Sequence, residues 1–283
     1  MAQGTLYLCA TPIGNLGDMS PRIRETLSQV DLIACEDTRN SIRLLNHFEI
    51  HTPMTSYHEY NKVEKAYALI EKMKEGADIA LITDAGTPAI SDPGEVLVKM
   101  CQEAGITVTS LPGPAACITA LTLSGLPTRR FCFEAFLPAD KKERQFILED
   151  LKTEKRTIIL YEAPHHLIKT LQLLFDTLGD RRITICRELT KKFETVMPTT
   201  LAEALSYYEV NEPRGEYVLV MEGKSREAVL ADQRAVYEEM SMEEHMALYE
   251  EQGMDHKEAM KAVAKDRGIS KREVYNYLIN VKK

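Results

Sequence analysis

The sequence predicts an α/β protein with two α/β domains and a small C-terminal helical module. Short β-branched runs alternate with amphipathic stretches through the first half of the chain, which is typical of parallel sheets flanked by helices. Strand signals resume at Phe131 and stop after Glu222, beyond which the pattern is helical. The 283 residues are 44% hydrophobic and 28% charged, which excludes disordered and fibrous proteins and leaves room for two cores.

Each element follows from its local pattern. In the first half we predict strands at 5–10, 32–36, 79–84 and 107–111, and helices at 21–29, 39–47, 62–74 and 94–103. The clearest helix is 62–74, whose apolar residues recur at helical spacing as Val63, Ala66, Leu69, Ile70 and Met73. Gly and Pro interrupt the pattern at 111–115 and 125–128, and the apolar stretch between them predicts a connecting helix.

The second half repeats the α/β pattern with a different set of elements. Strands are predicted at 131–136, 157–161, 182–187 and 216–221, and helices at 141–151, 165–178 and 200–208. We therefore place the two α/β domains at 1–115 and 116–225, and the helical module at 226–283.

Charge is distributed unevenly along the chain. The net charge of −8 argues against a uniformly basic surface, so any contact with nucleic acid needs a local patch. Residues 232–254 carry a net charge of −6, whereas residues 255–283 carry +4. This change marks the C-terminal region as a separate module.

The cysteines and the hydropathy pattern indicate whether the protein binds a metal ion, whether it spans a membrane and in which compartment it acts. The six cysteines are far apart, with no C-x-x-C pair and no neighbouring His tract, and are interpreted as reduced, buried thiols. No stretch approaches the roughly 18 apolar residues of a membrane helix, and residues 1–16 show no basic region before their apolar residues. We expect a cytoplasmic protein with no metal ion and no membrane contact.

The most informative segment is 81–94, Leu-Ile-Thr-Asp-Ala-Gly-Thr-Pro-Ala-Ile-Ser-Asp-Pro-Gly. A buried strand runs into a turn of small residues and then into a helix, which brings backbone N–H groups close to a ligand. An ordinary βα turn uses the same glycines and prolines, so the residues alone leave both interpretations open. Neither the P-loop nor the dinucleotide fingerprint occurs, which weakens an ATPase or NAD-dependent interpretation.

Four other segments place polar residues, Gly or Pro directly after a predicted strand. They are 11–16, 36–39, 111–116 and 161–165. Because the carboxyl ends of parallel strands converge on one crevice, we expect several of these loops to line a common cleft.

Seven motifs in a fixed order make the chain resemble a known family. They are Pro12-Ile-Gly-Asn-Leu16, Glu36-Asp-Thr-Arg39, Asp84 to Gly94, Leu111-Pro-Gly-Pro114, Tyr161-Glu162 with His165, Arg187-Glu-Leu-Thr-Lys191 and Arg214-Gly-Glu216. They resemble the 16S ribosomal RNA ribose 2'-O-methyltransferases of the tetrapyrrole-methylase superfamily over about residues 5–222. One departure is His166, where the family pattern has an Arg.

The resemblance implies a cofactor cleft between two α/β domains, usually in a homodimer. S-adenosylmethionine (SAM) would lie in this cleft, and the substrate would be a cytidine of 16S rRNA in the small ribosomal subunit. Carried over by position, the SAM-binding residues would be Pro12, Ile13, Asp84, Gly86, Thr87, Ile90, Ser91, Ala115, Ala116, Tyr161, Glu162, Gly215 and Glu216. Small residues suit this role because they let the backbone approach a ligand.

Methyl transfer to a sugar hydroxyl requires positioning and removal of the hydroxyl proton. We assign Glu36, Asp37 and Arg39 to the substrate side of the cleft, and the family resemblance implies that Asn61 also faces the substrate. The identity of the proton acceptor stays open. The alternative for residues 36–39 is a helix start, capped by Asp37 or Thr38, with Arg39 in a surface ion pair. Arg43, Lys191 and Lys192 are candidate RNA contacts, although a solvated turn also explains the two lysines.

The C-terminal module has the pattern of a helix-turn-helix, with Ala264, Gly268, Ile269, Val274 and Tyr277 at the expected small, turn and apolar positions. Ser270 would cap the second helix. Lys271 and Arg272 would then lie on or near its exposed face, where cations meet phosphate. The alternative is a helical cap that only packs on the rest of the protein.

Three functions therefore remain open at this point. The first is the rRNA ribose methyltransferase, and the second is a superfamily methyltransferase that acts on a corrin or another small substrate. The third is a transcription regulator whose α/β part senses a ligand. The basic tail favours RNA over a tetrapyrrole, and the ordered motifs favour an enzyme over a regulator.

Overall fold

A computed structural model describes residues 3–229, 231, 237 and 240–281. The chain divides into two compact units, which we call the body and the tail module. The body comprises Met1–Glu149 and Arg156–Glu222, and the tail module comprises Asp150–Lys155 and Gly223–Lys283. The body contains both predicted α/β layers, while the domain boundaries proposed from the sequence remain a prediction.

The first sheet has five parallel strands in the order β3-β2-β4-β1-β5. Its strands are β1 (Thr5–Cys9), β2 (Leu32–Cys35), β3 (Met54–Ser56), β4 (Ile79–Ile82) and β5 (Thr107–Leu111). The accompanying helices are α1 (Pro21–Gln29), α2 (Thr38–His47), α3 (Lys62–Lys74) and α4 (Glu95–Glu103), with a short 3₁₀ turn at Leu16–Asp18. All four residues of the central strand β4 are buried, as expected for a strand covered on both faces.

Local sequence explains where these helices begin and which face they bury. The α1 helix starts with Pro21 after Ser20, whose hydroxyl accepts a hydrogen bond from Ile23 N–H. The predicted face of α3 is buried at Ala66, Leu69, Ile70 and Met73. Val63 is an exception, since it is 53% exposed in the first turn.

The second sheet has five strands in the order β6-β7-β10-β8-β9, and all its pairs except β6–β7 are antiparallel. Its strands are β6 (Phe131–Ala135), β7 (Thr157–Glu162), β8 (Arg182–Arg187), β9 (Thr195–Thr200) and β10 (Tyr217–Met221). The helices of this layer are α5 (Ala116–Leu123), α6 (Lys141–Thr153), α7 (Leu167–Leu178) and α8 (Leu201–Val210). The predicted connecting helix is α5, and the predicted two-sheet α/β fold is confirmed.

The sequence missed two edge strands, β3 and β9. The β3 strand has only three residues, which is too short for a period-two pattern. The β9 strand carries Pro198, a residue that sheets tolerate at an edge and that weakens a strand prediction.

Among the described residues of the tail module are the helices α9 (Met242–Glu251), α10 (His256–Arg267) and α11 (Lys271–Val281). Met246, Val263 and Val274 belong to its apolar core. The α10 helix ends at Arg267 and is capped by Gly268, which has a φ of 66°, and the Ser270 hydroxyl accepts a hydrogen bond from Glu273 N–H at 3.2 Å. The helix pair, its glycine turn and its serine cap therefore agree with the sequence prediction.

The described part of the chain offers neither a membrane-spanning helix nor a cluster of metal-ligating side chains. No helix among these residues is long and apolar enough to cross a membrane. Within the same residues, no group of three or more His, Cys, Asp or Glu side chains is arranged to hold a metal ion.

Candidate functional site

The body contains a cavity of about 490 Å³ lined by residues from both sheets. The first sheet contributes the loop that follows β4 and the residues that precede α5, and the second contributes the end of β7 and the start of β10. The volume lies within the range of about 300–1,000 Å³ typical of small-molecule sites. Of the strand-end segments that the sequence predicted to converge, 11–16, 81–94, 111–116 and 161–165 contribute lining residues, whereas 36–39 does not.

Most of the residues that the family resemblance assigns to SAM line this cavity. Those that do are Ile13, Asp84, Gly86, Thr87, Ile90, Ser91, Ala115, Ala116, Tyr161, Glu162 and Glu216. Pro12 and Gly215 are not among the lining residues. Pro12 is buried beside Ile13, whereas Gly215 packs on Glu188 and takes a φ of +83°.

Backbone and side-chain hydrogen bonds tie the loops of the first sheet together. Thr11 and Gly86 exchange two backbone hydrogen bonds of 2.8 and 3.0 Å, and the Thr87 hydroxyl donates to the Pro114 carbonyl at 2.9 Å. A Cβ atom on Gly86 would lie 3.5 Å from Ile13 Cγ2, which is an ordinary contact. The positive φ of 89°, rather than lack of space, therefore requires glycine here.

Non-glycine residues with positive φ occur in or next to the cavity wall. Ala89 and Ser91 have φ values of 65° and 70°, and Ala135 has a φ of 52°. Ser91 lines the cavity, Ala89 lies between the lining residues Thr87 and Ile90 in the same loop, and Ala135 precedes the lining residue Phe136. Because this conformation is costly for residues with a Cβ, it is typical of sites where the surrounding structure imposes it for function.

Tyr161 and Glu162 form the wall at the end of β7. The Tyr161 hydroxyl accepts a hydrogen bond from Cys117 N–H at 3.1 Å, at the start of α5, and burial raises the pKa of this phenol. The buried Glu162 carboxylate accepts hydrogen bonds from the Thr170 hydroxyl at 2.5 Å and from Ala163 N–H at 2.8 Å. Glu162 thus holds the turn between β7 and α7 as well as lining the cavity.

Lys191, a candidate RNA contact, is engaged in two ion pairs. Its Nζ lies 3.0 Å from Glu188 Oε1 and 2.7 Å from Glu216 Oε2. The stem of Lys191 packs over Gly14, where a Cβ atom would come within 2.4 Å of Lys191 Cγ. Partial burial alone would raise the pKa of Glu188. The hydrogen bonds that its carboxylate accepts from Glu216 N–H and from Lys191 outweigh this effect, so the pKa of Glu188 is lower than usual.

The other two candidate cations of the body are exposed. Arg43 lies on the outer surface of α2, and Lys192 lies with its Nζ 5.7 Å from the Phe193 ring centroid. Neither residue lines the cavity.

Three carboxylates gather at the carboxyl edge of the first sheet. Glu36 Oε2 accepts a hydrogen bond from the Thr83 hydroxyl at 3.2 Å, and Asp84 Oδ2 accepts one from Asn40 Nδ2 at 2.8 Å. Burial, followed by repulsion from Glu36 and Asp84, raises the pKa of Asp92 to about 6. Burial and the charge of Asp84 also raise the pKa of Glu36. Asp84 and Asp92 line the cavity, whereas Glu36 does not.

Asp37 and Arg39 adopt the arrangement that the sequence analysis gave as the alternative. Asp37 caps α2 by accepting a hydrogen bond from Arg39 N–H at 2.8 Å, and it pairs with the Arg39 guanidinium at 2.6 Å. The hydrogen bonds from Arg39 lower the pKa of Asp37 to about 2. The Arg39 side chain is 86% exposed, and neither residue lines the cavity.

Asn61 makes a local turn. Its Oδ1 accepts a hydrogen bond from His58 N–H at 2.8 Å, and its Nδ2 lies 3.5 Å from the Ser56 carbonyl. The residue precedes α3 without a side-chain capping bond, and it lies outside the cavity lining.

Sequence reasoning missed several lining residues. They are Ala85, Asp92, Phe136, Ala163, Pro164, Leu189, Tyr217 and Val218. Ala85 and Asp92 belong to the 81–94 segment, so their place in that motif was an available signal. Phe136 ends a predicted strand and carries no polar group, so nothing in the sequence marked it for this position.

Comparison with known proteins gives both family and fold matches. The family model for Tetrapyrrole (Corrin/Porphyrin) Methylases matches residues 5–205. A protein of Synechocystis sp. named "Ribosomal RNA small subunit methyltransferase I" is 46% identical over 96% of both chains. A protein of Bacillus subtilis with the same name is 46% identical over 96% of this chain and 93% of its own.

Solved structures agree with this match at the level of fold. A diphthine synthase has a TM-score of 0.64 at 14% identity, covering 78% of this chain and 91% of its own. The cobalamin biosynthetic enzyme cobalt precorrin-4 methyltransferase has a TM-score of 0.54 at 18% identity, covering 76% and 94%. The length of the family match and the identity to the two curated relatives show that the chain belongs to the tetrapyrrole methylase family.

Proposed function

We propose that this protein transfers a methyl group from SAM to the ribose 2'-hydroxyl of a cytidine in 16S rRNA of the small ribosomal subunit. The observation that carries the proposal is the cavity, because eleven residues that the family resemblance assigns to SAM line it together. The names of the two relatives favour a ribosomal RNA substrate over a corrin. In this proposal the enzyme acts in the cytoplasm as a homodimer.

The cavity has the chemistry that SAM requires. The backbone of Ala115 and Ala116 and the loop at Gly86 offer walls without bulky side chains, which suits close approach of an adenosine. Asp84 and Asp92 provide negative charge for the cationic sulfonium and amino groups. When bound, SAM supplies an already activated methyl group, so the residues of this chain need only orient the acceptor and take up its proton.

Glu36 is the proposed proton acceptor on the substrate side. It follows β2 at the same sheet edge as Asp84 and Asp92, and its raised pKa increases the basicity of the carboxylate. The exposed Arg39 guanidinium, which is paired with the half-buried Asp37, would lie against the RNA next to Glu36. In the same proposal the amide of Asn61 positions the substrate.

The proposed RNA anchor is the tail module, with Lys271 and Arg272 as phosphate contacts, supported in the body by the exposed Arg43 and Lys192. Arg272 is exposed at the start of α11, and residues 255–283 carry the net charge of +4 that the acidic body lacks. Deletion of residues 232–283 should leave SAM affinity unchanged and weaken binding to the subunit. The salt dependence should flatten by roughly 0.7–0.9 log units per lost phosphate contact.

A double variant distinguishes RNA binding by the tail module from a role in packing alone. Lys271→Glu with Arg272→Glu, both on α11, should reproduce most of the loss while the protein stays folded. A control pair, Glu258→Gln on α10 with Glu273→Gln on α11, should not weaken binding. If the truncated protein binds the subunit normally across a salt series, the tail module is a packing or dimer element.

Methyl transfer from labelled SAM tests the proposed activity. Small ribosomal subunits that lack this modification, free 16S rRNA and a uroporphyrin are incubated separately with the full-length protein. We expect label in the RNA of the subunits and none in the uroporphyrin. Label in the uroporphyrin alone, or no label from a protein that binds SAM, would overturn the proposed function.

A further inference from the structure

Phe136 is an aromatic side chain that lines the cavity and yet remains exposed to solvent. It is 54% exposed, although it belongs to the cavity wall. Among the described residues, the other aromatic side chains that line the cavity are Tyr161, which is half-buried, and Tyr217, which is buried. Phe136 is therefore the aromatic wall residue at the opening of the cavity.

The backbone that precedes Phe136 adopts a costly conformation. Ala135 has a φ of +52°, in the left-handed region that residues with a Cβ avoid. The register between β6 and β7 shifts between Phe133 and Ala135, which is the signature of a bulge. Bulges re-aim the side chains that follow them, so this irregularity sets the direction of Phe136 at the end of the strand.

A contact with Tyr161 also holds the Phe136 ring in place. The Phe136 and Tyr161 ring centroids lie 5.6 Å apart at an interplanar angle of 63°, an edge-to-face geometry. Tyr161 is itself held by Phe133, at 4.9 Å, and by the hydrogen bond from Cys117. A ring that is already oriented loses little conformational entropy when a ligand stacks on it.

We propose that Phe136 is a stacking platform for the pyrimidine base of the nucleotide that is methylated, an inference that rests on the proposed function. To bring its ribose to the cavity, a nucleotide leaves the stack of its neighbours, and its base then needs another aromatic face. Exposed aromatic side chains commonly supply that face for unstacked bases. The group that stacks on Phe136 is a base and not a larger apolar partner, because one aromatic ring at the opening of the cavity offers its face to one planar group.

The test compares KM for the subunit with Kd for SAM in the full-length protein. Loss of one stacked base typically weakens binding roughly 5- to 150-fold, so Phe136→Ala should raise the KM for unmodified small subunits by that factor. The Kd for SAM, measured by calorimetry, should stay within two-fold. Phe136→Tyr should retain activity, and Phe136→Leu should remain impaired because it restores bulk without an aromatic face.

A matched control is Phe146→Ala, since Phe146 lies on α6, is 69% exposed and does not line the cavity. It should leave both constants unchanged. The inference is overturned if the wild type methylates subunits and Phe136→Ala has a normal KM for them. It is also overturned if Phe136→Leu is fully active, or if Phe136→Ala changes the oligomeric state measured by sedimentation. A loss of SAM affinity in Phe136→Ala would assign the ring to the cofactor, and a wild type without activity would remove the proposed function itself.

Discussion

Lys191 Nζ lies 2.7 Å from Glu216 Oε2, and this ion pair joins a loop of the second sheet to the cavity wall. The stem of Lys191 crosses Gly14, in the loop after β1, so one side chain contacts loops from both sheets. The ammonium is also paired with Glu188, which leaves little of its charge for a phosphate. The pair therefore orients Glu216 within the body.

The first prediction separates Lys191 from its neighbour Lys192. Lys191→Met keeps most of the apolar stem and removes the ion pairs, so it should weaken SAM binding about two- to five-fold, the effect of a partly exposed pair. Lys192→Met should leave SAM affinity unchanged, because that exposed residue lies outside the cavity. Calorimetry measures both, and normal SAM affinity in Lys191→Met together with a reduced salt slope for RNA would make Lys191 a phosphate contact instead.

The second prediction concerns Gly86. A valine there must adopt a φ of 89°, which costs on the order of 1–3 kcal/mol, and it adds a branched side chain to a residue that lines the cavity. Gly86→Val should stay folded and lose SAM binding. The control is Gly105→Val, at a φ of 70° with no heavy atom within 4 Å of the new Cβ, which should lose similar stability and bind SAM normally. Normal SAM affinity in a folded Gly86→Val protein would remove this loop from the site.

The third prediction concerns the residues that follow β2. Glu36→Gln should slow single-turnover methyl transfer about 10²- to 10⁴-fold, the contribution of a general base, while SAM affinity changes little. Asp37→Asn and Arg39→Ala should also lower transfer much more than SAM affinity, because neither residue lines the cavity. Asparagine is itself a good N-cap, so Asp37→Asn tests the charge without removing the cap. Losses below a few-fold in the Asp37 and Arg39 variants would limit those residues to capping α2.

The fourth prediction follows from the raised pKa of Asp92, about 6 in the folded protein against an ordinary 3.8. The folded state binds this proton more tightly than the unfolded chain, so ionisation of Asp92 destabilises the fold as pH rises from about 4 to 6. Asp92→Asn should therefore be more stable than the wild type at pH 7.5, by about 1–2 kcal/mol after allowance for solvent screening. Urea unfolding at pH 4 and pH 7.5 measures this, and an equal difference at both pH values would contradict it.

The strands could be predicted because a buried strand such as β4 appears in the sequence as an unbroken run of apolar residues. The strand ends that meet in a parallel sheet predicted a common cleft at loops such as that of Gly86, and the family resemblance supplied most of the individual wall residues. Phe136 could not be predicted, since its position depends on the bulge between Phe133 and Ala135, a pairing between distant segments. The ion pair between Lys191 and Glu216 could not be predicted for the same reason, because Glu216 lies 25 residues away in the chain.

In the proposed function, the cavity supports methylation of a ribose hydroxyl in 16S rRNA. Unmodified small subunits are incubated with the protein and labelled SAM, the RNA is digested to nucleosides, and the labelled product is identified by mass spectrometry. The proposal predicts one labelled nucleoside, 2'-O-methylcytidine, and its loss with Gly86→Val. Label on a nucleobase, on another ribonucleoside or in ribosomal protein would contradict the account.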